Sequence, residues 1–120
     1  MQLKKRPEDF YVEELLELEL GRRGDYWVHR LRKRKLGTPE AVRAVAREAG
    51  MGVGEIGTAG LKDRQGVTVQ YISIPRRRVS IRKRGLEVEA VGRSEVPVTS
   101  RCSRGNRFVI TLRSLRPDEL

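Results

Sequence analysis

The run from Val67 to Ile74 limits the folds open to this chain more than any other segment. Its sequence, V-T-V-Q-Y-I-S-I, is rich in β-branched residues, and Pro75 follows it directly. β-Branched residues favour strands, and proline cannot continue a central one. The run therefore predicts a strand that ends at Pro75.

One helix is predicted from Pro39 to Ala49. Thr38 precedes it as a candidate N-cap, proline suits the first helical position, and Gly50 follows as a stop. Four apolar residues recur at helical spacing and are expected to pack on a sheet: Val42, Val45, Ala46 and Ala49.

Alternating apolar residues predict the remaining strands. Extended chain is expected from Phe10, with Leu16, Leu18 and Leu20 alternating against glutamates. The turn at 21–25 precedes a second strand, Tyr26 to Leu31, and the two strands are predicted to form a hairpin. Further strands are predicted around Ile56, over Leu86–Val91 and over Asn106–Arg113. Strands dominate around one packed helix, so the predicted fold class is α+β with a mixed, mainly antiparallel sheet.

Length and composition indicate one globular domain. The chain has 120 residues, 38% of them apolar, and no run approaches the roughly 18 apolar residues of a membrane span. The first nine residues lack the apolar region of a signal peptide. The single Cys102 allows no internal disulfide, and with the single His29 it cannot form the usual zinc site. A cytosolic protein without metal is expected.

The charge predicts a polyanionic partner. Lysine and arginine number 26 against 16 acidic residues, giving a net charge of +10. Such an excess favours nucleic acid first and an anionic membrane second. The cations form three clusters, at 30–35, 76–78 and 82–84. Any one cluster could be a solvated surface, but three together favour contact with phosphates.

A lone carboxylate, Asp63, follows Lys62 and precedes Arg64 in a short loop between glycines. Neighbouring positive charge favours the ionised form of an aspartate, which is then available as a nucleophile or a base. An aspartate in a loop is more often a turn former, so the charge pattern alone leaves both roles open.

The segment A-G-L-K-D-R-Q-G-V-T-V-Q, residues 59–70, resembles the catalytic loop of the TruD family of tRNA pseudouridine synthases, A-G-x-K-D-x-x-x-V-T-x-Q. The segment K-K-R-P-E-D-F-Y-V-E-E, residues 4–14, is similar to the family's N-terminal K-x-x-P-E-D-F-x-V-E-E. Gly105-Asn106-Arg107-Phe108 resembles its G-N-x-F motif. With the helix in the expected place, the blocks cover nearly the whole chain in the family's order.

The resemblance implies a role for each matching residue. Asp63 would be the essential catalytic aspartate, Lys4 the active-site lysine that pairs with it, and Phe10 the aromatic near the target base. Asn106 and Phe108 would line the same site. Spacing alone leaves simpler roles open, because both phenylalanines could be core residues, Asn106 a turn residue and Lys4 a terminal charge.

The implied activity is isomerisation of uridine to pseudouridine in tRNA, without a metal or organic cofactor. RNA would be the partner, held by a set of cations: Lys62, Arg64, Arg32, Lys33, Arg34, Arg76, Arg77, Arg78, Arg82, Lys83 and Arg84.

Family members are much longer, carry an inserted second domain and have a further motif that this chain lacks. Residues 1–120 are therefore expected to be the N-terminal portion of a pseudouridine synthase catalytic domain, inactive or nearly so alone. Exposed apolar surface, and hence self-association or pairing with a C-terminal half, is also expected. Two alternatives remain open: a non-catalytic basic RNA-binding module, and an arginine-rich protein that docks on ribosomal RNA.

Overall fold

The computed structural model describes residues 3–4, 10–60, 66–110 and 113–114, with side chains for 11–60 and 66–105. The helix is α1 (Thr38–Ala49), and single 3₁₀ turns occur at Val53–Glu55 and Ser100–Cys102. The strands are β1 (Leu3–Lys4), β2 (Phe10–Leu16), β3 (Tyr26–Arg34), β4 (Gly57–Thr58), β5 (Val67–Pro75), β6 (Ile81–Lys83), β7 (Leu86–Ser94), β8 (Ser103–Ile110) and β9 (Arg113–Ser114).

The main sheet has β5 at its centre. Its strand order is β6-β7-β3-β5-β2-β8, and β4 pairs with the end of β5 beyond β2. Among the described strands of this sheet, only β2 and β5 pair in parallel; the other pairings are antiparallel. β5 is covered on both faces, and seven of its residues are buried, namely all of those from Val67 to Ile74 except the half-buried Tyr71. This confirms the predicted strand and the mixed, mainly antiparallel α+β class, and shows that the strand is central.

The predicted hairpin between the first two long strands is wrong. β3 pairs with one edge of β5 along its length, from Tyr26 opposite Pro75 to Arg34 opposite Val67. β2 lies on the other edge of β5, with Tyr11 opposite Val67. β5, the strand that is most completely buried, thus takes the position between the two. The segment 17–20, expected to continue the first strand, is not in a strand.

Helix α1 packs on one face of the sheet, as predicted. Ala41, Val45, Ala46 and Ala49 are buried against Ile72 and other sheet residues, while Val42 is only partly buried. Because three of the four contact residues are alanines, the helix axis can approach the sheet closely. A smaller cluster around Val28, Val98 and Cys102 covers part of the opposite face.

Thr38 is not the N-cap of α1. Gly37 takes the capping position in an extended conformation, and no side chain caps the helix. Thr38 is buried as the first helical residue, and its hydroxyl donates a hydrogen bond to Oε1 of Gln70 at 3.0 Å. A partner on the sheet has replaced the local capping bond. Gly50 ends the helix in the left-handed conformation, as predicted.

The single histidine, His29, predicts an acid-sensitive fold. Its ring is fully buried, Nε2 accepts a hydrogen bond from the Val79 N–H at 3.0 Å, and Nδ1 lies 3.1 Å from the Trp27 carbonyl oxygen. Nε2 must accept, so the neutral ring carries its proton on Nδ1 and donates to Trp27. Burial lowers the pKa of His29 from 6.5 to about 4, against the weaker opposing effect of the Trp27 bond.

A lowered folded-state pKa means that the unfolded chain takes up a proton first as the pH falls. The contribution of His29 to the free energy of unfolding is therefore fully present above pH 6.5. About 3 kcal/mol of it is lost as the pH falls to 4. We expect urea unfolding to show this loss in addition to the loss from titrating carboxylates. The variant His29→Gln should be less stable at pH 7 and should lose about 3 kcal/mol less between pH 7 and 4. Equal losses in both proteins would contradict the assignment to His29.

Candidate active site

The parallel contact between β2 and β5 organises the candidate site. Tyr11, Val12 and Glu13 lie opposite Val67, Thr68 and Val69 in register. These are the first residues of β5, the strand that follows the 61–65 segment. The predicted catalytic Asp63, with Lys62 and Arg64, lies outside the described residues. The structure therefore fixes the strand that leads away from Asp63, and the partners of that strand.

β8 brings two further candidates to the same strands. Val12 lies opposite Phe108, Glu14 opposite Asn106, and Phe10 opposite Ile110. Directly paired residues share a face of a sheet, so positions 10, 106 and 108 share one with Thr68, and this is the face that carries α1. Asn106 is a strand residue, so the alternative of a turn residue is wrong. For these three candidates the structure describes the backbone only.

Lys4 lies in a separate, two-stranded sheet. Its backbone pairs with Arg113, and Leu3 pairs with Ser114. β1 precedes β2 and β9 follows β8, so the same two segments of chain are paired twice. The pairing brings the Lys4 backbone to the chain segment that continues from the Asn106 and Phe108 positions.

Buried polar side chains lie beside these positions, and the sequence analysis did not single them out. Gln70 is fully buried; its Oε1 accepts from Thr38, and its Nε2 has no hydrogen-bond partner within the part of the chain that is described. Glu14 is 1% exposed, and its Oε1 accepts from the Tyr71 backbone N–H at 3.0 Å. That bond satisfies a backbone N–H of β5 that lies beyond the residues paired with β2. In the sequence, these buried residues were signalled only by being polar residues within a mostly apolar strand.

Tyr71 lies on the opposite face of β5. Burial, with a further contribution from the negative charge of Glu13, raises the pKa of Tyr71 above its ordinary value of 10.0, and Arg30 opposes the shift. The phenol therefore stays protonated at neutral pH, and it can donate a hydrogen bond but cannot act as a base.

Lys33 must be removed from the predicted surface cations. Its side chain is only 1% exposed, whereas Arg32 and Arg34 on either side of it are exposed. Successive strand residues face opposite sides, and Lys33 shares with Leu31 the face that carries α1. A direct contact between its ammonium group and an RNA phosphate is incompatible with this burial.

The cluster Arg76–Arg78 serves the fold, although all three side chains are exposed. Arg77 donates to the Ala49 carbonyl oxygen at the end of α1, where a cation also complements the helix dipole. Arg78 stacks on Trp27, with its guanidinium carbon 5.2 Å from the ring centroid. RNA binding by Arg76, Arg77 and Arg78 stays a prediction. Alanine substitution at these positions would disturb packing as well as charge.

The cluster Arg82–Arg84 has a different setting. It occupies the exposed tip of the β6–β7 hairpin, beside the end of β3 that carries Arg32 and Arg34. Arg32 approaches Glu87 at 3.7 Å, a partly exposed ion pair. The structure thus brings two clusters that are distant in sequence to one end of the sheet.

The described residues lack two classes of feature. They contain no group of three or more histidine, cysteine or acidic residues able to hold a metal ion. They also contain no helix that is long and apolar enough to cross a membrane.

The family model, the sequence relatives and a solved structure all indicate the same family. The family model of tRNA pseudouridine synthase D (TruD) matches residues 1–120. A Methanococcus maripaludis protein named probable tRNA pseudouridine synthase D 1 is 36% identical over 99% of this chain and 31% of its own length. The tRNA pseudouridine synthase D of Aquifex aeolicus is 34% identical over 96% of this chain and 32% of its own.

A solved structure of a TruD protein from Methanosarcina mazei has the same fold. It superposes with a TM-score of 0.84 and 33% sequence identity, over 98% of this chain and 28% of that one. The chain thus spans about a third of the length of the relatives that it matches. On the match over all of its residues, this chain belongs to the TruD family of tRNA pseudouridine synthases.

Proposed function

We propose that this chain contributes the catalytic aspartate, Asp63, to a tRNA pseudouridine synthase. One observation carries the proposal beyond family membership: β2 and β8 pair with each other, and β2 pairs with the first residues of β5. The matching motifs are far apart in sequence, yet three of them belong to these adjacent strands or to the segment before β5. Three peptide units separate Gly66 from Asp63, a reach of at most about 11 Å.

The reaction is an isomerisation, so no other reactant is needed. The N1–C1′ bond of uridine breaks, the uracil turns, and C5 bonds to C1′; the proton lost from C5 is balanced by one gained at N1. Asp63 would attack the nucleotide or assist cleavage of its glycosidic bond. The uracil must leave the base stack to be reached. Phe10 would stack near it, Asn106 and Phe108 would complete the pocket, and Lys4 would pair with Asp63.

RNA is the proposed partner, with tRNA as the substrate. The support is the net charge of +10 and the exposed cations at one end of the sheet. We propose that polypeptide equivalent to the other two thirds of the relatives completes the site. Among the residues whose side chains are described, five large apolar ones are more than a third exposed and are available for such contacts, or for self-association: Leu15, Leu20, Val53, Val91 and Val96.

The test replaces the matching segment of the Methanococcus maripaludis relative with this chain. The substrate is unmodified tRNA carrying tritium at C5 of its uridines, because C5 loses its hydrogen only if the carbon–carbon bond forms. We expect tritium release from the chimera and little from this chain alone. A chimera that folds and binds tRNA but releases no tritium, beside an active parent relative, would favour a non-catalytic RNA-binding module.

A further inference from the structure

A basic cavity of about 360 Å³ lies at the end of the sheet where β5 begins. It is lined by three short pieces of chain: the end of β3 (Arg32–Arg34), Val67 at the start of β5, and the hairpin segment Lys83–Glu87. Val67 is the second residue after the 61–65 segment that contains Asp63. The cavity is therefore close in sequence to Asp63, and its lining comes from β3, β5 and the β6–β7 hairpin.

Backbone pairing holds the three pieces together. β3 is antiparallel to both β5 and β7, so its last residues meet the first residues of both. The Arg34 N–H donates to the Gly85 carbonyl oxygen at 3.0 Å, and the Lys35 N–H donates to that of Gly66 at 3.2 Å. Gly85 has a φ of 85°, which lets a two-residue turn close the hairpin. The shape of the cavity is thus set by the backbone pairing of the sheet as well as by side-chain contacts.

The charge of the lining is strongly positive. Four exposed cations line it, Arg32, Arg34, Lys83 and Arg84, together with the buried Lys33 and the carboxylate of Glu87, which already approaches Arg32. Arginine can hold two phosphate oxygens at once, and lysine adds a point charge. Arg77 and Arg78 pack against the helix and Trp27, whereas the side chains of Lys83 and Arg84 make no hydrogen bond, ion pair or ring contact within the described part of the chain.

We propose that this cavity binds one backbone phosphate of the RNA strand that carries the target uridine. The proposal rests on the function proposed above and makes it more specific. A nucleotide that leaves its stack must be held by its backbone, and a cation-lined cavity at the start of the strand that follows Asp63 in sequence provides such a hold. The chemistry recognised is a single phosphodiester, and the cavity reads no base sequence.

The test measures binding and needs no turnover. The protein is titrated into a fluorescent, single-stranded, uridine-containing RNA oligonucleotide at several salt concentrations. The double variant Lys83→Ala/Arg84→Ala is compared with Arg22→Ala/Arg23→Ala, which removes the same charge from exposed residues at the opposite end of β3. For the cavity variant we expect at least tenfold weaker binding at low salt. Its slope of log affinity against log salt should be smaller by about 0.7, the value for one phosphate of a single strand.

The control variant should keep the slope of the parent protein. Equal losses in the two variants would show a general effect of net charge and would overturn the proposal, as would an unchanged slope in the cavity variant. Thermal unfolding of both variants verifies that the fold is intact.

A second arm identifies the source of the phosphate. Oligonucleotides with one neutral methylphosphonate linkage, placed at successive positions, should bind the parent protein more weakly at one linkage near the uridine. At that linkage the cavity variant should show no further loss. If inorganic phosphate alone saturates the cavity while every neutral linkage is tolerated, the site is one for free phosphate and the proposal is wrong. These binding measurements do not depend on catalysis. The phosphate proposal can therefore fail while tritium release is observed, and it can hold while no tritium is released.

Discussion

Asp63→Asn is expected to abolish pseudouridine formation in the chimera described above while leaving its affinity for RNA within about twofold. The amide keeps the shape of the side chain but loses the charge and the nucleophilic oxygen. Loss of a catalytic nucleophile commonly costs several orders of magnitude, so we expect tritium release to fall at least about a thousandfold. Fluorescence anisotropy with the same tRNA measures binding.

Asp25→Asn provides the matched control. Asp25 is an exposed aspartate whose backbone carbonyl accepts from the Arg76 N–H, and its side chain has no part in the proposed site. This variant should retain the parent rate. Lys4→Ala should reduce turnover less than Asp63→Asn, since Lys4 would orient the carboxylate and not react. A chimera with Asp63→Asn that still forms pseudouridine at the parent rate would exclude Asp63 as the catalytic residue.

Local sequence signals predicted the elements of this fold better than their pairing. The helix was evident from Pro39, the apolar repeat and Gly50, because each acts within a turn or two of chain. The partner of β2 was not evident, because no short segment encodes that β5 enters between β2 and β3. Thr38 shows the same limit: its hydroxyl suits a local cap, but the side chain is buried and bonds to Gln70 on the sheet.

The cation run at 30–35 shows what sequence reading missed in the site. Five of its six residues are cations, and Arg32, Lys33 and Arg34 were all predicted to hold RNA. On a strand it divides between two faces, so that Lys33 is buried and Arg32 and Arg34 are exposed. The clusters 30–35 and 82–84 then converge through backbone pairing, whereas Arg77 and Arg78 are engaged in packing. The three cation clusters have similar compositions but therefore different roles in the structure.

The second large effect concerns β5, the strand on which the proposed site depends. Ile72 is fully buried on the face that carries α1, in the cluster that joins the sheet to the helix. Ile72→Ala should lower the free energy of unfolding by about 2–5 kcal/mol, through lost transfer energy and the remaining cavity. Ile72→Val should cost about 0.5–1.5 kcal/mol. Urea unfolding followed by circular dichroism measures both.

Val96→Ala is the control, because Val96 is 51% exposed and its truncation should change stability by no more than about 0.5 kcal/mol. The series also separates two ways of losing activity. Typical domains are stable by about 5–15 kcal/mol, so Ile72→Ala would reduce tritium release and RNA binding together as the folded fraction falls. Asp63→Asn would reduce tritium release alone, with an unchanged unfolding midpoint. If Ile72→Ala proved no more harmful to stability than Val96→Ala, β5 would not be the centre of the core, and the sheet order described here would be wrong.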